Sequence, residues 1–171
     1  VWIIWWVGFV YFTALVGNFW NVVNPWRIVF TAVEKFAWLC GIRARLHFDL
    51  TYPSWLGVWP ATTLFVTFVW FELIYDQAKL PETLAIFIVV YSSLTWLGMA
   101  AFGRDQWLSK GEPFSILFEM LGRFAPIGRS DGSCPDGKSG RWYLRPYSSE
   151  LIVDKHRDLS MTVFVLVILS T

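Results

Sequence analysis

A chain of 171 residues that is 56% hydrophobic and 19% aromatic but only 16% charged lies outside the composition of ordinary soluble domains, where roughly a quarter of residues are charged. Twelve tryptophans are also too many for a soluble core, so composition places the chain in the membrane class. The formal net charge of +1 says little by itself, whereas the positions of the charges say a great deal.

Taken in chain order, the first apolar run covers about 2–17 and begins at Val1 with no methionine and no basic leader before it. Further runs cover about 55–75 and 83–103, and a last one starts at about 159 and stops at 171. A helix needs about 20 apolar residues to cross the hydrocarbon core, and only the middle two runs reach that length. The first and last spans are therefore read as truncated, and the chain as a piece of a longer protein. Continuous apolar runs without alternation predict helices, because lipid forces every backbone group to find its partner within the segment. The predicted fold class is an all-α integral membrane protein, one membrane domain with about four transmembrane helices.

Apart from Lys79, every lysine and arginine falls in 17–54 or 103–158, the two connections on one side of these spans. The positive-inside rule makes that side cytoplasmic and places 126–158 in a cytoplasmic loop. Trp20, Trp26, Trp55, Trp59, Trp107 and Phe114 sit near the ends of the runs and are expected as interfacial anchors, since such rings favour the headgroup layer.

Two phrases nearly repeat: NPWRIVFTAVEKFA from Asn24 and EPFSILFEMLGRFA from Glu112. Pro25/Pro113, Ile28/Ile116, Phe30/Phe118, Phe36/Phe124 and Ala37/Ala125 are identical in register. Asn24 and Glu112 can cap a helix whose first residue is proline, a position where the missing N–H is no loss. The polar residues Arg27, Thr31, Glu34 and Lys35 form one stripe, as do Ser115, Glu119, Gly122 and Arg123. Helices at about 25–40 and 113–125, too short to span, are predicted to lie in the headgroup plane with the apolar side down. Each follows a span through a glycine and a tryptophan (Gly17 and Trp20, then Gly103 and Trp107), which suggests a repeated span–turn–amphipathic unit.

Candidate chemistry is sparse. His47 and His156 stand alone in loops, and no HxH, HExxH or CxxC occurs, so neither a metal nor a cofactor is predicted; bound lipid is. Cys40 and Cys134 are expected to be free thiols. The glycine- and aspartate-rich stretch Gly128 to Trp142 reads as a surface loop without phosphate-loop or calcium-loop spacing. Glu72 is the one carboxylate inside a spanning run and so a candidate intramembrane functional group, although Asp76 nearby suggests that it simply reaches water. Ser92, Thr95, Gly98 and Ala101 recur every three residues and predict a helix-packing face. Basic residues spread over a membrane face are explained by anionic lipid, and nothing points to nucleic acid.

The stretches VGNFWNVVNPWR, YPSWLGVWPATTLFVTFVWFELIY, LTWLGMAAFGRDQWLSKGEPFSILFEMLGRFAPI and MTVFVLVILST resemble a bacterial family of large polytopic membrane proteins known as fenitrothion hydrolases. The resemblance covers the chain from about Trp5 onward. It implies a multi-spanning protein of the bacterial inner membrane that cleaves organophosphate esters, and it assigns no catalytic residue. Three functional readings stand together. The first is a non-catalytic membrane subunit or scaffold whose partners are lipids and other transmembrane helices of a larger complex. The second is the hydrolase that the resemblance implies. The third is a transporter, on the strength of the repeat and Glu72.

Overall fold

The computed structural model describes residues 2–41, 48, 50–75, 80–129, 142–144, 146–147 and 158–171. Helices dominate: α1 (Trp2–Val16), α2 (Trp20–Val23), α3 (Pro25–Leu39), α4 (Trp59–Leu73), α5 (Pro81–Phe102), α6 (Arg104–Lys110), α7 (Pro113–Gly122) and α8 (Leu159–Ser170). A 3-10 turn at Ser54–Leu56 leads into α4. The expectation of an all-α chain misses one element pair: strands β1 (Ile127–Arg129) and β2 (Trp142–Leu144) are antiparallel, with Ile127 opposite Leu144 and Arg129 opposite Trp142. Three paired residues on each side leave too short an alternation to stand out in the sequence. His47, Cys134 and His156 lie outside the described residues.

Two helical stretches, Ser54–Leu73 and Pro81–Phe102, are long and apolar enough to cross a membrane. α1 has 15 residues and α8 has 12, short of the roughly 20 needed.

The chain forms two compact units. One comprises Val1–Val23 and Leu117–His156. Here Gly17, at φ 117°, ends α1 in a backbone conformation that favours glycine, and the chain turns into α2. Phe9 of α1 and Trp20 of α2 close on Phe118, with ring centroids 4.9 and 5.0 Å away, and Phe118 is fully buried. Gly122 lies so close to Asn18 that a Cβ there would come within 2.8 Å of its backbone nitrogen.

The other unit comprises Asn24–Ile116 and Arg157–Thr171. α4 packs on α8 through Phe65 and Phe164, whose rings are 5.9 Å apart, and Ser160 Oγ accepts the N–H of Val58 at the start of α4. Gly103, at φ 88°, reverses the chain after α5, and α6 folds back along it. Trp107 of α6 lies flat on Gly98 of α5 and on Gly111, where any Cβ would overlap the indole. Carbonyls in the last turn of α5 are met by two residues that precede α4, with Phe48 N–H bonding Ala100 O at 2.8 Å and Leu50 N–H bonding Ala101 O at 3.1 Å.

α3 makes its contacts along the C-terminal half of α5. Trp26 Nε1 donates to Ser92 Oγ at the middle of α5 (3.0 Å), and Phe30 shares a buried cluster with Met99 and Trp107. Beyond the end of α5, Arg27 reaches Asp105 at 3.1 Å, while Arg104 reaches Thr31 at 3.1 Å and Glu34 at 3.5 Å. Arg27, Thr31 and Glu34 of the predicted polar stripe are therefore turned toward α6, whereas Lys35 is exposed. The reason is local: once α6 folds back, it brings Arg104 and Asp105 to the height where α3 presents Arg27, Thr31 and Glu34. α7 differs in another way, since Phe114, Ile116, Leu117 and Phe118 are all buried inside the protein.

Candidate functional site

The most unusual chemistry lies where the N-termini of α3 and α7 meet the middle of α5. Each helix begins with a capping residue followed by proline. Asn24 Oδ1 accepts the N–H of Arg27 at 3.1 Å, which satisfies one of the free donors of the first turn. Glu112 does more with its carboxyl group. Its Oε2 accepts the N–H of Ser115 at 2.6 Å, and its Oε1 accepts the N–H of Phe114 at 3.1 Å.

The two caps are joined. Asn24 Nδ2 donates to Ser115 Oγ at 3.0 Å, and Trp26 stacks on Phe114 at 6.4 Å with the planes 7° apart. Trp26 and Phe114 occupy the same place in the two phrases, so the phrases meet at equivalent positions. Tyr91, at the middle of α5, donates its hydroxyl to Glu112 Oε1 at 2.8 Å and packs on Trp26 and Phe114 at 5.1 and 6.1 Å.

Glu112 is fully buried and Asn24 is 1% exposed. Desolvation raises the Glu112 carboxyl above the usual carboxylate range, and its bonds from Ser115, Tyr91 and Phe114 draw it part of the way back. The positive end of the α7 dipole adds support for negative charge there. Chemically, the arrangement can hold a carboxylate away from water and tie three segments to it. Among the described residues, no three His, Cys, Asp or Glu side chains are grouped to hold a metal ion.

Glu72, predicted as the intramembrane carboxylate, is exposed near the end of α4 and takes no part in this junction. Of the predicted packing face, Ser92, Thr95 and Gly98 are buried and Ala101 is half-buried. It receives Trp26 at Ser92 and Trp107 at Gly98. Among the expected anchors, Trp55 and Trp59 are exposed, and Trp20 and Trp26 are half-buried. Trp107 and Phe114, however, are core residues at 9% and 7% exposure, because α6 and the start of α7 fold back onto α5. Cys40 is a free, exposed thiol.

The sequence showed Glu112 as a cap but not as the deep carboxylate. It follows the polar run RDQWLSKG, which looks solvated. The available signals were the shared register with Asn24-Pro25 and the glycines at 98 and 111 that admit Trp107.

No family model, no curated protein and no solved structure matches the chain.

Proposed function

We propose that the chain is a non-catalytic, membrane-embedded helical scaffold, part of a multi-pass protein of the bacterial inner membrane that packs against lipids and further helices in a larger complex. In this reading α1, α4, α5 and α8 belong to spans, the two phrases are an internal repeat, and the basic connections face the cytoplasm.

One observation carries it. In each of the two long apolar helical stretches, only 22% of the apolar window is buried within the protein. A core helix of a soluble protein would be mostly buried. Instead α5 presents Leu84, Ile86, Ile88, Val89, Val90, Leu94 and Leu97 outward, each at least 45% exposed. At about 25 cal/mol per Å² of apolar surface, such a face is costly in water and requires lipid or another helix. The junction of caps supports the same reading, because its buried polar groups are spent on holding α3, α5 and α7 together.

The test is extraction from native membranes in gentle detergent, followed by native electrophoresis and mass spectrometry of whatever co-migrates. A stoichiometric complex is the expected result. A protein that migrates alone would overturn the scaffold reading, and cleavage of a phosphotriester by the full-length protein would then establish the hydrolase that the resemblance implies.

A further inference from the structure

We propose that α3 is a re-entrant helix whose outer face contacts the acyl chains of the inner leaflet, with its N-terminus near the level of the middle of α5. The proposal rests on the reading of α5 as a membrane span. It replaces a helix lying flat in the headgroup layer with one that descends beside the span.

Three observations converge. First, the contacts of α3 follow α5 downward: Trp26 at Ser92, Phe30 in the cluster with Met99, and Glu34 at Arg104 just past the end of α5. Ser92 lies ten residues before the C-terminus of α5, or about 15 Å at 1.5 Å per residue, and Trp26 to Glu34 descends about 12 Å by the same measure. The two helices therefore run side by side. A flat helix would touch α5 at one level only.

Second, the charged residues of α3 are placed where such a helix needs them. Arg27 and Glu34 turn to α6, where Asp105 and Arg104 neutralise them at the lower end of α5. Arg27 reaches down from its backbone position to that level, the behaviour of a long basic side chain that starts within an apolar layer. This ion cluster marks the headgroup level.

Third, the remaining face is an unbroken apolar sector. Ile28, Val29, Val33 and Phe36 are 52, 42, 51 and 68% exposed, and at 100° per residue they fall within one 140° arc. The arc lies at the height of the C-terminal half of α5, since Trp26 meets Ser92 and Glu34 meets Arg104. At that height beside a span, the occupant that suits an apolar face is the acyl chain.

The experiment uses the full chain in phosphatidylethanolamine–phosphatidylglycerol vesicles, with Cys40 and Cys134 replaced by serine. Single cysteines replace Val29, Val33 or Phe36 on α3, and Val89 or Leu97 on α5. All five positions are exposed, so a nitroxide label leaves the packing intact. Relaxation by oxygen against a nickel chelate reports the depth of each label. Labels at 29 and 33 should be reached by oxygen and not by nickel. The label at 29 should lie about 10 Å deeper than that at 36, seven residues along the axis. Equal depths at 29, 33 and 36 would restore the flat helix and overturn the proposal. Labels at 29 and 33 shielded from both reagents would place protein against this face and also overturn it. Nickel access at 89 and 97 would instead remove the span reading itself, and the proposal with it.

Discussion

The phrases beginning at Asn24 and Glu112 carry nearly the same pattern and meet different fates. Ile28 is 52% exposed, whereas its counterpart Ile116 is 4% exposed; Val29 is 42% exposed and Leu117 is 7%. Phe30 and Phe118 agree, at 7 and 0%, as do the caps Asn24 and Glu112, at 1 and 0%. In α7 the apolar side is enclosed, with Phe118 under Phe9 and Trp20. In α3 one apolar strip, Trp26 and Phe30, goes to α5, while Arg27, Thr31 and Glu34 are tied to α6 and the rest faces outward. An amphipathic pattern thus specifies that a helix has an apolar side. It does not specify which neighbour covers that side.

The sharpest break between the two phrases is Phe118→Ala set against Phe36→Ala. Emptying the enclosed site should cost about 3–5 kcal/mol, with a matching fall in thermal stability in detergent. The exposed phenylalanine should stay within about 0.5 kcal/mol of the parent. Equal losses would erase the distinction between the two helices.

The caps offer the next contrast. Glu112→Ala leaves the Tyr91 hydroxyl and two backbone N–H groups buried without their acceptor, and should cost about 3 kcal/mol. Asn24→Ala removes a neutral cap and should cost about 1 kcal/mol. Glu112→Gln keeps acceptor capacity and should recover part of the loss. Chemical denaturation of the three variants side by side would reverse the ranking if Asn24 were the central residue.

Gly98→Ala forces the Trp107 indole off α5 and should cost about 1–3 kcal/mol with a shift in tryptophan emission. An unshifted spectrum with unchanged stability would mean that α6 does not fold back as described. The smallest effect belongs to the rim. Arg27→Ala breaks an ion pair whose aspartate is 70% exposed, and should cost under about 1 kcal/mol, less in high salt. A larger, salt-independent loss would show that the ion cluster is not at an aqueous boundary.

Much of the local architecture was legible in the residues. The expected runs at 55–75 and 83–103 correspond to Ser54–Leu73 and Pro81–Phe102, since length and continuous apolarity are properties of the segment alone. Helix starts at Pro25 and Pro113 follow from their caps, because capping uses groups within three residues. The turns at Gly17 and Gly103 follow from a positive φ that glycine accommodates. What only the tertiary structure decided was which long-range neighbour each side chain meets. Trp107 and Phe114 became core because α6 folds back onto α5, and Trp55, with the same chemistry, stayed exposed. Glu112, not Glu72, became the buried carboxylate, because Tyr91 and the start of α7 close over it while the end of α4 stays open. Depth and partner are set by the return of the chain after Gly103, and a contact across 21 residues leaves no periodic trace in the sequence.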